Sequence, residues 1–313
     1  YQGKEDYYAT FLQDQVWLTE RLSLLPGIRF EWNRQEFETG DGMSGAKTLF
    51  DADPSVHLLY HPLRPLTLRA AFSRRVNRPK FDDIPPAEEE KGKEFRQGNP
   101  ALKPAHSFNY DLGLDYATPN LFLGVNWSFK DVSDLIEDVV IGRKANKDVI
   151  QPTNVGDGWT TGIEIESRLG LGLFGMESLA GLDLWGNATF LDSKVKDSKT
   201  GQKDSFKDQP EILFNLGMDF AYPQWGTTFS LSWNYIGKAK NIEANGTQKR
   251  KAAFSTVDLS IHKRIYKNLF LVFEAENLFD EKKAESERLQ SGETNIRNES
   301  FGRTFFLGTE IKF

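Results

Sequence analysis

Apolar and polar residues alternate with a period of two along most of this chain. In Phe108–Tyr116 one face carries Phe108, Tyr110, Leu112, Leu114 and Tyr116, while the other carries Asn109, Asp111, Gly113 and Asp115. Leu121, Leu123, Val125, Trp127 and Phe129 oppose Phe122, Gly124, Asn126 and Ser128 in the same way. The pattern recurs in Ile212–Tyr222, Phe229–Tyr235, Val257–Ile261 and Leu269–Ala275. The chain ends on it too, with Phe301, Arg303, Phe305, Leu307, Thr309, Ile311 and Phe313 on one face. Such alternation marks strands with one apolar and one polar side, and helical periodicity is not competitive over any comparable stretch.

The pattern predicts thirteen strands, near 7–20, 24–37, 54–63, 66–78, 107–118, 121–141, 148–171, 178–196, 206–223, 227–243, 249–267, 269–283 and 296–313. Their connections alternate in length. Short turns fall near 20–23, 63–65, 119–120, 171–177, 223–226 and 266–268, and long polar links near 38–53, 79–106, 142–147, 197–205, 244–248 and 284–295. Short and long connections in alternation are the signature of an all-β, antiparallel up-and-down transmembrane β-barrel of the outer-membrane type. A strand of about 11 residues, tilted, covers the ~25 Å apolar band of such a barrel, and these segments reach or approach that length. A soluble β-sandwich also alternates, but its strands are shorter. It would not place acids such as Asp111, Asp115, Glu164, Glu166, Asp219 and Glu274 repeatedly on one side.

Composition narrows the classes. Mean hydropathy is −0.51 and no apolar run approaches the ~20 residues of a membrane helix, which excludes a helical membrane protein but not a barrel of half-apolar strands. Aromatic residues make up 13%, high for a soluble domain and suited to interfacial girdles. The absence of cysteine removes disulfide frameworks and thiolate metal sites, and a net charge of −6 argues against a nucleic-acid partner.

Four phrases, in order, resemble the TonB-dependent receptors of Gram-negative outer membranes. Phe72–Pro79 resembles an "S-R-x-x-x-R-P" stretch, and Gly98–Pro104 resembles a "GNPxLKP" segment leading into a strand. Asn154-Val155-Gly156 with Gly162–Glu166 resembles an "N-x-G…G-x-E-x-E" strand, and Asn277–Asp280 resembles an Asn-Leu-Phe-Asp signature near the barrel's end. The resemblance implies an outer-membrane receptor for active uptake of a bulky nutrient, such as an iron chelate or an oligosaccharide, energised by the TonB complex. It further implies a plug domain and an energising motif, and no plug-like segment stands in this sequence. Barrels of this kind have about 22 strands. The expectation is therefore that residues 1–313 are the C-terminal portion of a larger barrel, with Phe313 periplasmic and Tyr1 on the outer side. The remaining strands and the plug come from the same or another chain. The alternative is a passive channel or a structural, adhesive surface barrel.

The expected partners are the lipid bilayer, lipopolysaccharide and the nutrient, with no cofactor, no nucleic acid and a location in the bacterial outer membrane. Arg74, Arg75 and Arg78 lie at the outer end of a strand beside the longest loop and are candidates for an anionic chelate, because guanidinium forks suit carboxylates. The alternative roles are lipid-A contact or salt bridges to Glu88, Glu89 and Glu90. Glu164 and Glu166 are expected to face the lumen, toward a plug or substrate. His57 and His61 share a face, and a lumenal or interfacial pair is favoured over a metal site. No spacing suggests catalytic residues, so an enzyme is not expected. The glycines of Gly98–Pro104 and of Asn154–Gly158 read as turn residues.

Overall fold

The computed structural model describes every residue except 41, 93, 176–178, 198–202, 290 and 313. Each long strand pairs antiparallel with the next. β1 (Gln2–Gln13) and β2 (Val16–Thr19) are one interrupted strand, both paired with β3 (Leu22–Glu38). The ladder continues through β4 (Ser44–Leu63) and β5 (Leu66–Asn77). A short hairpin of β6 (Glu88–Lys91) and β7 (Glu94–Gln97) intervenes, and β5 then pairs with β8 (Ala105–Thr118). Next come β9 (Leu121–Lys144), β10 (Lys147–Gly170) and β11 (Leu182–Asp197), with the small β12 (Lys203–Asp204) on the edge of β11. β11 pairs with β13 (Ile212–Tyr222), and β13 with β14 (Thr227–Ile236). β15 (Ala239–Ile242) and β16 (Gln248–Lys251) lead to β17 (Phe254–Tyr266) and β18 (Leu269–Glu276). β19 (Lys282–Arg288), β20 (Thr294–Ser300) and β21 (Thr304–Ile311) complete the chain.

With β1 and β2 taken together, the serial strands among the described residues are β1/β2, β3, β4, β5, β8, β9, β10, β11, β13, β14, β17, β18 and β21, thirteen as the alternation predicts. The tight connections at Glu20-Arg21, Arg64-Pro65, Pro119-Asn120 and Lys267-Asn268 all lie at one end. At the other end the strands overrun their expected limits. β3 and β4 pair from Glu38↔Ser44, and β9 and β10 pair up to Lys144↔Lys147, so two of the expected polar links are largely ladder. Backbone pairing does not require an apolar face, so sheet persists into water once both strands are in register. Ala145 (φ 48°) and Asn146 (φ 61°) close the β9–β10 hairpin in the left-handed conformation favoured by two-residue hairpin turns.

Above β14, β17, β18 and β21 the chain forms a separate four-stranded sheet, β15–β16–β19–β20. The expected closing strand 296–313 is accordingly split. Phe301, Gly302 and Arg303 lie between β20 and β21, with Gly302 at φ 72°, and Phe313 lies outside the described residues.

Burial is inverted relative to a soluble protein. Leu112, Leu216 and Leu307 are 52%, 49% and 69% exposed on the apolar face. Cross-strand pairing joins Leu112, Trp127 and Ile163 in one lipid-facing row, while Asp111, Ser128 and Gly162 form the adjacent polar row. A ladder of rings crosses the outer part of the apolar face: Phe72 to Tyr110 at 5.3 Å, Tyr110 to Phe129 at 6.3 Å and Phe129 to Trp159 at 6.3 Å. Aromatic side chains gather at membrane–water boundaries because one end tolerates lipid and the other water. The architecture is that of an outer-membrane barrel wall whose interior strands pair on both sides, as hydrocarbon demands, while among the described residues β1/β2 and β21 pair on one side only.

Candidate functional site

The polar face and the outer end define the site. Midway along the wall a cavity of about 580 Å³ is lined by His57, Arg69, Asp111, Asn126, Glu164 and Thr189, among others. Arg69 donates to Asp115 and to Asn126, each at 2.9 Å, so a cation from β5 balances an acid on β8. Glu164 pairs across to Asn126 and Thr189 and, with Glu166, occupies the polar face. His57 lines this cavity, whereas His61 Nδ1 lies 3.1 Å from the Thr67 hydroxyl. Among the described residues no group of three or more histidines and acids could hold a metal ion.

The three arginines do not act as a unit. Arg74 donates to the Ala52 carbonyl at 2.9 Å and to Asp53 at 2.8 Å. Arg78 donates to Asp51 at 2.9 Å, bridges to Glu31, and stands 5.7 Å from the Tyr7 ring centre. His106 Nε2 lies 3.0 Å from the same Asp51, whose side chain is only 5% exposed. Arg75 is exposed and, among the described residues, has no recorded ion pair or hydrogen bond; by register it shares the polar face with Ser73 and Asn109. Glu88 and Glu90, the acids expected near these arginines, pair instead with Lys144 and Lys147 on the β9–β10 hairpin. The physical reason is reach: the segment between β5 and β8 folds as a strap, carrying its acids to β9 and β10, where β7 pairs parallel with β10.

The strap, residues 78–104, packs a small true core against β10. Ile84, Pro85 and Leu102, with Pro152 of β10, are among the most completely buried side chains. The Asn99 side chain donates to the Pro152 carbonyl at 3.0 Å, and Gln151 donates to the Gly98 carbonyl at 3.1 Å. Lys47 on β4 donates to the carbonyls of Pro100 (3.3 Å) and Leu102, and the Tyr1 hydroxyl donates to Asp82 at 2.5 Å. A Cβ at Gly98 would overlap the Pro85 carbonyl, which explains glycine in the "GNP" phrase. Arg96 joins Asp138 (2.8 Å) and Asp83 (2.9 Å). The bond to Asp138 holds its guanidinium charged even above its ordinary range, against the opposing effect of partial burial. The hydrogen bond to Asp82, aided by burial, pushes the Tyr1 phenol up to about 12.

The Asn-Leu-Phe-Asp phrase forms the hinge between β18 and the outer sheet. Asn277 (φ 52°) is buried, and its side chain is spent on backbone groups. Its amide donates to the Glu281 carbonyl at 3.1 Å and the Gly302 carbonyl at 3.0 Å, and its Oδ1 accepts from the Glu281 N–H at 2.9 Å. Asp258 accepts from the Asn277 N–H at 2.8 Å. This one side chain therefore ties together two connections that alternation alone leaves open. Sequence reasoning missed the strap's embrace of β9–β10 and the Asp51–His106 contact. The order of the family phrases was the only available signal for the first.

A transmembrane β-barrel wall with a polar interior and a tied-down outer mouth is the class these features define. The chain matches the family described as "TonB dependent receptor-like, beta-barrel" over residues 1–278. It belongs to that family, and so to the bacterial outer membrane. It is 23% identical to the ferric enterobactin receptor of Pseudomonas aeruginosa, across 98% of this chain and 42% of that protein. It is also 23% identical to the ferrienterobactin receptor of Escherichia coli K12, across 90% of this chain and 37% of that protein. Among solved structures, the unliganded ferric citrate transporter FecA superposes with a TM-score of 0.76 at 15% identity, covering 99% of this chain and 45% of that one. The copper transporter OprC gives 0.75 at 19% identity, covering 99% and 48%. These structures share the fold. The chain spans about two-fifths of the length of the curated relatives it matches.

Proposed function

We propose that residues 1–313 are the C-terminal part of the barrel of a receptor that takes up an iron chelate across the outer membrane, energised by the TonB complex. The plug and the remaining strands belong to the same or another chain. The observation that carries this reading is the family match along nearly the whole ladder, coupled to an inner face lined by polar groups and an outer mouth bound by a strap. The names of the curated relatives support a ferric siderophore as the nutrient. On this reading the protein is a transporter and not an enzyme, and it sits among lipopolysaccharide in the outer leaflet. Of the proposed substrate contacts, Arg75, Glu164 and Glu166 lie on the interior face by register and serve as ligand- or plug-contacting groups. Arg74 and Arg78 act through the network that holds the mouth.

Uptake of radiolabelled ferric enterobactin by cells expressing the complete gene tests the proposal. Accumulation that requires both this gene and an intact TonB complex is the expected result. Uptake of small solutes that is indifferent to TonB, with no chelate accumulation, would instead identify a passive channel.

A further inference from the structure

We propose that the lipid-facing ends of β13, β14, β17 and β18, on the tight-turn side, bind the headgroup of an anionic phospholipid, with Lys263 and Lys267 as its cationic contacts. Short turns mark the periplasmic end of an outer-membrane barrel, so these turns meet the inner, phospholipid leaflet. The inference uses the barrel and its orientation and is independent of what the receptor carries.

Register places Lys263 on the lipid side. Phe220, Phe229, Ile261, Phe273 and Leu307 form one cross-strand row, apolar throughout. The next row toward the turns is Tyr222, Thr227, Lys263, Leu271 and Thr309, in which Lys263 carries the charge. A half-buried lysine one row below lipid tails extends its ammonium to the headgroup level. There it donates to the Trp225 carbonyl, which leaves the ammonium's other donors free for a second acceptor.

Lys267 occupies the β17–β18 turn at φ 39°, a left-handed conformation that Asn and Gly adopt at lower cost. Its ammonium stands 5.3 Å from the centre of the Tyr266 ring. Tyr266 is 65% exposed and lies in the edge row with Leu269 and Ile311. Trp225, 69% exposed, meets the Tyr222 ring edge-on at 5.1 Å. Exposed rings at this level are what a membrane–water boundary selects.

Among the described residues no acid stands on this side to balance the two lysines. The acids of these strands and of β21 are Asp219, Asp258, Glu274, Glu276 and Glu310, and all fall on the alternate positions that face the interior. The turns Pro223–Gly226 and Lys267-Asn268 contain none, and neither lysine has a recorded ion pair. The counter-charge at this level is then the lipid's own phosphate. A phosphate without a compensating ammonium suits the site best, which favours phosphatidylglycerol over phosphatidylethanolamine.

The test measures, by native mass spectrometry, which molecules the complete receptor retains when released from a non-ionic detergent. Phosphatidylglycerol, phosphatidylethanolamine and glycerol phosphate are offered at matched concentration. Phosphatidylglycerol should be retained at least about fivefold over phosphatidylethanolamine, and Lys263→Gln and Lys267→Gln should each lower its retention by about fivefold. Lys263→Arg, which keeps the charge, should stay within about twofold of wild type, as should Lys312→Gln. Lys312 lies at the same end but on the inner face, 3.8 Å from Glu310. The comparison of lipids on the wild type needs no variant, and the heat-modifiable band shows that each variant is folded. Equal retention of the two lipids, undiminished retention in both glutamine variants, an equal loss in Lys312→Gln, or glycerol phosphate retained as strongly as the lipid would each overturn the inference. Lipid retention is read without uptake, so its failure leaves TonB-dependent uptake standing, and failure of uptake leaves the lipid result standing.

Discussion

Asn154 grips Lys103 by both of its backbone groups: its amide donates to the Lys103 carbonyl at 3.0 Å, and its Oδ1 accepts from the Lys103 N–H at 2.9 Å. The same amide also donates to the Asp134 carbonyl at 2.7 Å. Two residues 51 positions apart in sequence are thus one structural unit, the root of the strap locked to the β10 bulge. Asn154→Ala should free three backbone partners and cost about 1–3 kcal/mol locally. Hydrogen exchange should show lost protection at Lys103 and its neighbours while β17 and β18 stay unchanged. Asn154→Asp keeps the acceptor alone and should fall between. A uniform loss of protection across the barrel would contradict a local clasp.

Arg78 stands between two poorly exposed carboxylates, Glu31 and Asp51, whose side chains are 10% and 5% exposed. Removing Arg78 leaves Glu31 its bond to Arg29 and Asp51 its contacts with His106 and Arg74, but sets two carboxylates opposite each other without their bridge. Stranding a deeply buried charge outright costs about 3–5 kcal/mol. With those partners kept and the Arg78 side chain itself 16% exposed, the cost falls at or below the lower end. Arg78→Met should lower the temperature at which the folded band is lost on unboiled gels. Adding Asp51→Asn to Arg78→Met should recover part of that loss, because the second change removes one of two cross-strand carboxylates that Arg78 no longer bridges. Additive losses in the double variant would mean that the two residues do not interact.

The outer sheet should lose stability at both extremes of pH. Glu243 holds the Lys249 ammonium above the ordinary lysine value, against some burial, so its contribution is full below that value and fades as pH rises through the raised one. Partial burial pushes Asp208 up, but its bonds to Lys251 and Asn241 prevail and leave its carboxyl below the usual range. Its contribution is full above the ordinary aspartate value and fades as pH falls through the lowered one. Protection factors for β15 and β16, corrected for intrinsic exchange, should therefore peak near neutrality. Lys249→Met should flatten the alkaline side only.

Strand number, pairing order and the lipid-facing rows were legible because lipid imposes a strict period of two. Leu112, Trp127 and Ile163 sit where alternation puts them. The sequence did not disclose where strands end on the outer side. Beyond the membrane the extensions of the ladder no longer alternate by lipid contact, as Gly142 and Arg143 of β9 illustrate, yet they remain paired. Site chemistry was less legible still. Arg74, Arg75 and Arg78 look alike in sequence, but the acids that engage two of them, Glu31, Asp51 and Asp53, come from earlier strands and are fixed only by register.

The two sides of a single strand supply the sharpest test of membrane orientation. Leu112 is 52% exposed at the middle of β8, and its neighbour Asp111 faces the inner cavity. Leu112→Arg would set a guanidinium among lipid tails, at a cost of about 2–4 kcal/mol near the bilayer midplane. Asp111→Asn removes a charge from a wet wall and should change stability by no more than about 0.5 kcal/mol. Folding into lipid vesicles, followed by the shift of the heat-modifiable band, measures both. Leu112→Arg should reduce the folded fraction strongly and Asp111→Asn hardly at all. The gap between them should shrink for Tyr116→Arg, at the edge of the apolar band, because a charge there reaches water by extending its side chain. A reversed order would place the lipid on the other face of the sheet, and the assignment of the inner wall would fall with it.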